Sequence, residues 1–326
     1  MSCLVAFHYR SYGTFFLYSK RLHNLHGGFT HYRNYRALKL DNLVIKKQGD
    51  EFTIPLSDIS IIVAEGGDTV VTLRLLSALS KYNIALIVCD NHHLPTGIYH
   101  SQNGHFRAYK KLQAQLSWAP LQKDKLWQII IYFKITNQQD VLAMQEKSLS
   151  TIQLLSDYRE HIELGDRTNR EGHAAKVYFN ELFGKQFVRL TQQETDAVNA
   201  GLNYGYTIFR AQMARIIAGY GLNALIGIFH KNEYNQFNLA DDLMEPFRQI
   251  VDVWVYMNLR EADFLTYQHR LELTNLLNAK IRYGKENCSV TVAMDKFVKG
   301  FIRCIEDKDT NQFFCPVVSS LEMEKL

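Results

Sequence analysis

The stretch Gly97-Ile-Tyr-His-Ser-Gln-Asn-Gly-His-Phe-Arg-Ala-Tyr-Lys-Lys-Leu112 separates two textures in this chain. Before it lie short β-type runs: Asn42–Lys47, Phe52–Leu56, Ile59–Ala64 and Ile84–Cys89, with the turn signal Gln48-Gly49-Asp50 between the first two. Helical spacing interrupts them at Val71–Tyr82, where Leu73, Leu76 and Leu79 recur. After Phe106 the pattern is helical, with helices expected at Arg107–Ser117, Lys123–Asn137, Val141–Ser156, Arg167–Phe183, Gln193–Gly219, Asp241–Glu261 and Tyr267–Tyr283. The expected fold class is α+β: a small β-rich N-terminal domain over 28–106, then a larger all-helical domain over 107–326. Residues 1–27 read as a basic extension ahead of the folded domain, ending at Gly27-Gly28.

With 326 residues, 47% of them hydrophobic and 21% charged, the chain can bury a substantial core, which excludes a disordered class. Its longest apolar runs, Ile84–Cys89 and Ala224–Phe229, fall far short of the ~20 residues of a spanning helix, so no membrane protein of that kind is expected. Five cysteines without a CxxC pair indicate neither a disulfide framework nor a cysteine zinc site, and point to a reducing, cytoplasmic location. The net charge of +4 is uneven: residues 1–40 hold Arg10, Lys20, Arg21, Arg33, Arg36 and Lys39 and no acid. An anionic partner must therefore be met by local patches. One such patch is Arg107–Lys134, where Lys110, Lys111, Lys123 and Lys125 interleave with Tyr109, Trp118 and Trp127. Lysines on such a surface neutralise phosphates and release counterions; the alternative is a solvated helix face over core tryptophans.

Phosphate-cradling GxxxxGK[ST] and GxGxxG, zinc-protease HExxH and hydrolase GxSxG are all absent. Three places carry candidate chemistry. On a helix, Glu171 shares a stripe with Ala174, Ala175, Tyr178 and Leu182, which puts a carboxylate on an apolar face unless it only complements the helix dipole. His230 ends the apolar run Ala224–Phe229, as a held ligand, a general base or a hydrogen-bonded core residue. In Asn238-Leu-Ala-Asp-Asp-Leu-Met-Glu-Pro-Phe-Arg248, Asp242 and Glu245 are either N-cap and N3 of a capping box or carboxylates of a cation site. Carboxylates with one imidazole suit Mg²⁺ or Mn²⁺ better than zinc.

Four motifs in one order, Asn169-Arg-Glu-Gly-His-Ala-Ala-Lys-Val-Tyr-Phe, Leu202-Asn-Tyr-Gly-Tyr-Thr-Ile-Phe-Arg-Ala, Gly227-Ile-Phe-His and Phe237-Asn-Leu-Ala-Asp-Asp-Leu-Met-Glu-Pro-Phe-Arg, resemble the CRISPR-associated adaptation integrase. Cys89-Asp-Asn-His-His-Leu-Pro-Thr and Lys134-Ile-Thr-Asn-Gln look most like members from type II systems, and the resemblance covers roughly residues 30–310. It implies a metal-dependent DNA endonuclease and integrase that inserts new spacers into a repeat array, a DNA 3′-OH attacking a phosphodiester. It implies Mg²⁺ or Mn²⁺ held by Glu171, His230 and Glu245, with Asp241 and Asp242 as further acids near the last motif. The implied partners are double-stranded DNA (the incoming fragment and the repeat array), a second copy of the chain joined through the β-rich domain, a small ferredoxin-like subunit and the large RNA-guided nuclease.

Transesterification conserves phosphodiester bonds, which accords with the missing nucleotide loop. Asn203, Tyr204, Tyr206 and Arg210 are expected to support the site, contact DNA or, for the tyrosines, fill the core. Two rival readings use the same chain: a structure-specific nuclease of branched DNA with water as nucleophile, and a catalytically silent DNA-binding scaffold.

Overall fold

The computed structural model describes residues 5–9, 14–16, 35–39, 41–47, 50–65, 69–101, 105–191, 196–308 and 313–323. The chain divides into two compact units, Met1–Phe106 and Arg107–Leu326. The expected Gly27-Gly28 break and the Gln48-Gly49 part of the expected turn lie outside the described residues.

The first unit holds two sheets. Strands β1 (Val5–Tyr9), β2 (Thr14–Phe16), β6 (Ile59–Ala64), β8 (Ala85–Cys89) and β9 (Pro95–Tyr99) form one sheet in the order β2-β1-β6-β8-β9. Strands β3 (Tyr35–Lys39), β4 (Asn42–Lys47), β5 (Asp50–Pro55) and β7 (Val70–Val71) form the other, in the order β5-β4-β3-β7. Strands β6 and β8 run parallel, so the chain must cross over between them, and helix α1 (Leu73–Lys81) lies on that crossover. Thr72 caps α1 by accepting from the Leu75 amide. Its buried residues are Leu75, Ala78 and Leu79, while Leu73 is 83% exposed, so the buried stripe is rotated from the expected one. These side chains pack with Leu43, Ile45, Ile54, Leu56, Ile59 and Ile62 into one core.

Of the expected extension over residues 1–27, the described residues 5–9 and 14–16 are strands of the larger sheet instead. Strand β1 sits inside the larger sheet, antiparallel to β2 on one side and to β6 on the other. The physical reason is the backbone: β6 is fully buried, and its outer row of N–H and C=O groups needs a pairing strand.

The second unit is mostly helical: α2 (Ala108–Leu116), α3 (Pro120–Met144), α4 (Leu149–Glu160), α5 (Arg170–Phe183), α6 (Ala197–Gly219), α7 (Asn238–Met244), α8 (Arg248–Leu259), α9 (Tyr267–Asn275) and α10 (Val290–Glu306). It is not all-helical. Strands β10 (Lys280–Tyr283), β11 (Glu286–Ser289) and β12 (Pro316–Glu322) form an antiparallel sheet in the order β11-β10-β12. The expected helix Tyr267–Tyr283 stops at Asn275, and the chain turns into a hairpin whose two-residue loop begins with Gly284 at φ 61°. Pro120 does not interrupt a helix but opens one, at a position where the missing N–H has no intrahelical partner. The helix it opens, α3, runs 25 residues through the expected break at Gln138–Asp140. No described helix is long and apolar enough to cross a membrane.

Helix α3 packs against α4, α5, α8 and α10, and α6 packs against α7, α8 and α9. Close approach of α6 and α8 depends on Gly205, where a Cβ would lie 2.5 Å from Val251 Cγ1. This frame brings α3, α5, the loop before α7 and the start of α8 to one place.

Candidate active site

Two carboxylates meet on one ammonium. Lys134 Nζ of α3 donates to Glu171 Oε1 and stands 2.6 Å from Glu245 Oε2. Lys134 and Glu245 are buried, and the Glu171 side chain is 28% exposed. Lys134 lies on the buried stripe Trp127-Ile131-Lys134-Gln138-Val141, a sequence signal that marks it as a partner of buried acids. Burial pulls the Lys134 ammonium down, but Glu171 and Glu245 outweigh it and hold its pKa above the usual lysine value.

Each acid is held by its own local device. Glu171 lies in the first turn of α5, where the buried Asp166 carboxylate accepts from the Arg170 and Glu171 amides at 2.8 and 3.0 Å. Asn169, at φ 52°, caps the same helix through the Gly172 amide. Glu245 opens a single 3₁₀ turn, Glu245–Phe247, between α7 and α8. Asn137 of α3 donates to the Pro246 carbonyl at 2.7 Å and ties that turn to the helix carrying Lys134. Burial pushes the Glu245 carboxyl up, yet Arg248 at 3.1 Å and Lys134 bring its pKa to about 2. Glu245 Oε2 thus faces the Lys134 ammonium and Oε1 faces Arg248, both in buried ion pairs.

The capping-box reading of Asp242 and Glu245 is overturned. Helix α7 starts after Phe237, which puts Asp242 inside the helix and entirely buried. Its carboxylate instead organises the loop before it. Oδ2 accepts from the Ile228 and Phe229 amides at 2.7 and 3.1 Å, and Oδ1 faces the His230 amide at 3.1 Å and His230 Nδ1 at 2.6 Å. Gly227 lets this loop close, since a Cβ there would lie 2.5 Å from the His230 carbonyl oxygen and 2.6 Å from Asp242 Oδ2. The hydrogen bond to Asp242 raises the His230 pKa against the opposing effect of burial. With Nδ1 engaged, Nε2 is the nitrogen left to act, the usual arrangement of a metal-ligating histidine with a carboxylate behind it. Trp127 meets the His230 ring edge-on at 5.7 Å and stacks on Phe229 at 4.2 Å.

Asp241 is engaged elsewhere: it accepts from Arg210 Nε and Asn235 Nδ2, both at 2.7 Å, with Arg248 at 3.8 Å. Arg210 is thereby half-buried in an ion pair. Behind Arg248 lies a buried polar group that the sequence reading does not contain. The Arg248 guanidinium stacks on Tyr206 at 4.9 Å, and Tyr206 and Tyr178 both donate to Asp252. Burial raises Asp252 to about 6, even though both tyrosine hydroxyls stabilise its charged form. Tyr204 is core. Asn203 accepts from Arg189 at 2.7 Å.

Of the basic stretch, Lys110 and Lys125 are exposed, Lys123 is half-buried, and Lys111 pairs with Glu306 at 2.8 Å. Trp118 and Trp127 are buried, so the stretch holds core tryptophans, and Tyr109 alone of its three named aromatics is exposed.

Among the described residues, no three His, Cys, Asp or Glu side chains stand together as a ready-made metal site. The two carboxylates meet on Lys134, and His230 is turned to Asp242. The donor chemistry nevertheless suits a hard divalent cation: two carboxylates already gathered around one positive charge, and an imidazole with its Nδ1 fixed.

The family of CRISPR associated protein Cas1 matches residues 30–282. The chain belongs to that family. A CRISPR-associated endonuclease Cas1 of Neisseria meningitidis serogroup C is 36% identical over 289 residues, covering 88% of this chain and 94% of the relative. A second Cas1 endonuclease, from Pyrobaculum aerophilum, is 27% identical over 71% of this chain and 83% of its own length. Among solved structures, a casposase bound to integration product superposes with a TM-score of 0.65 at 20% identity, over 90% of this chain and 93% of the other. A Cas6-RT-Cas1–Cas2 complex gives 0.70 at 19% identity, the match spanning 90% of this chain and 37% of that longer one. These structures establish that the Cas1 fold is shared.

Proposed function

We propose that this Cas1 chain is a divalent-metal-dependent DNA endonuclease and integrase that inserts short DNA fragments into a CRISPR repeat array, using Glu171, His230 Nε2 and Glu245 to hold Mg²⁺ or Mn²⁺. The observation that carries this reading is the convergence of Glu171 and Glu245, from two separate helical segments, on one cationic centre. A bound divalent ion would supply Lewis-acid activation of a DNA 3′-OH and neutralise charge on the phosphodiester under attack. The protein's part is positioning. Asp166 and Asn169 fix the turn bearing Glu171, Asn137 fixes the turn bearing Glu245, and Asp242 fixes the imidazole. The 3′-OH adds to the phosphorus as the old P–O bond leaves, so no nucleotide cofactor is consumed.

The casposase neighbour, described as bound to integration product, favours joining over simple hydrolysis as the outcome. Double-stranded DNA, a second copy of the chain and a small second subunit complete the proposed assembly. The Cas1–Cas2 neighbour supports the second subunit, and the large RNA-guided nuclease is a further proposed partner.

The test is strand joining with end-labelled donor DNA and Mg²⁺ or Mn²⁺, comparing the wild type with Glu245→Gln and Glu171→Gln. Joined product that both variants lose by at least a hundred-fold is expected. Donor that is only shortened would hand the site to the nuclease reading, and metal-insensitive binding without turnover would leave a scaffold.

A further inference from the structure

The ammonium of Lys134 occupies the place between Glu171 and Glu245 where the proposed metal's positive charge belongs. We propose that Lys134 is a resident cation that competes with the divalent ion: it holds the two carboxylates together in the metal-free protein and is displaced when the metal loads. This rests on the reading that Glu171 and Glu245 bind metal, and adds the residue that sets how tightly they do so.

Three features carry it. First, Lys134 is buried, so its charge is weakly screened and acts on both carboxylates at full strength. Second, the lysine stands on a rigid helix interior, pinned through Asn137 to the turn that carries Glu245, so the contact is built into the packing rather than sampled by a surface chain. Third, Lys134 is redundant for Glu245 alone, because Arg248 already pairs with that carboxylate at 3.1 Å. Among the described residues, Glu171 makes no second ion pair of that kind. The ammonium therefore serves the pair. Without it, two carboxylates would face each other with Arg248 as the remaining neighbouring cation, a site with greater demand for a divalent ion and a less stable empty state.

Lysine is also the residue for a displaceable charge. A single ammonium on a flexible stem can swing away, whereas a planar guanidinium would clamp both acids bidentately.

The experiment measures Mn²⁺ affinity of the full chain without DNA, by titration calorimetry and by the electron-spin signal of free Mn²⁺, alongside thermal melting with EDTA or Mn²⁺. Lys134→Met should melt below the wild type in EDTA, bind Mn²⁺ at least ten-fold more tightly, and show the larger rise in Tm on Mn²⁺ addition. Lys134→Arg should bind no more tightly than the wild type. A Lys134→Met affinity equal to or weaker than wild type overturns the proposal, showing that the lysine organises the acids instead of competing for them. Should Lys134→Met be unfolded in EDTA, its refolding against Mn²⁺ concentration replaces the affinity measurement. Folding below the wild-type Kd supports competition, and failure to fold at any Mn²⁺ concentration overturns it. Failure of the underlying metal reading looks different: neither wild type nor Lys134→Met would show a Mn²⁺ response that Glu245→Gln abolishes.

Discussion

Asp242 receives four donors on two oxygens, three of them backbone amides of the loop that carries His230. An asparagine would turn one of those oxygens into an NH₂ that faces donors. Asp242→Asn is therefore expected to cost about 2–4 kcal/mol in chemical denaturation and to lower strand joining, because the His230 ring loses its anchor. Glu245→Gln should also destabilise, on the order of 3 kcal/mol, since it removes one partner of buried ion pairs with Lys134 and Arg248. A capping role would have predicted near-neutrality, and relief of Glu171–Glu245 repulsion a small gain. Asp252 supplies a pH-dependent counterpart. Its folded value of about 6 exceeds the ordinary 3.8, so the folded state holds the proton more tightly. Its contribution is present below pH 4 and lost as pH rises to 6, by about 2–3 kcal/mol, and is constant above. The stability difference between Asp252→Asn and wild type should thus shift toward the variant between pH 4 and 6, read from urea midpoints at each pH. Glu171, His230 and Glu245 stand out in the sequence as candidates because their motifs do. Lys134 was legible too, as a charge on an apolar helical stripe, but it reads equally as one more lysine of a basic run. The Arg248–Tyr206–Asp252 group was not legible, because nothing in local spacing reports which buried acid meets which tyrosine across two helices.

Helix contacts set the next level. A Cβ at Gly205 would meet Val251 at 2.5 and 3.2 Å and Leu273 at 3.2 Å, and a β-branched valine has little freedom to yield. Gly205→Ala should lower stability by about 1–3 kcal/mol, read as a lower urea midpoint, overriding the gain of up to about 1 kcal/mol that alanine brings to an exposed helix. Helix boundaries were the least readable part of this unit. Gln138–Asp140 looked like a break because polar residues interrupt an apolar run, yet Gln139 donates to the Ile152 carbonyl of α4 at 3.0 Å and Asp140 accepts from Ser319 of β12 at 2.8 Å. Polar side chains satisfied across elements look like loop residues to any local pattern. The β10–β11 hairpin was hidden for a related reason: Leu273, Leu277 and Ile281 recur every four residues and are all buried, and that spacing reads as a continued helix.

For the whole molecule, the β-rich then helical order was readable from texture, whereas the place of β1 was not, since its partner β6 lies far along the chain. Removing residues 1–27 should leave β6 with an unpaired edge and give a chain that melts earlier and self-associates, judged by circular dichroism and size-exclusion chromatography. A deletion variant that melts like the full chain would contradict this. The basic surface is tested separately. Lys110, Lys123 and Lys125 to alanine together should weaken DNA binding evenly across sequences and flatten its salt dependence, with little change in Tm. Lys111 contributes less, being tied to Glu306.

The interior position of β1 bears on how the chain acquires its structure. About fifty residues separate Tyr9 from Ile59, and the parallel partner of β6 starts later still, at Ala85. During synthesis β1 and β2 can pair early, but the other edge of β1 must wait for β6 to emerge, and β6 in turn for β8. Closing loops of that length costs entropy before any sheet contact repays it. The first unit should therefore fold late and all at once after its last strand leaves the ribosome. Until then the open edge of β1 offers a pairing template to neighbouring nascent chains, which makes weaker expression, with fewer chains in synthesis at once, the condition expected to raise soluble yield.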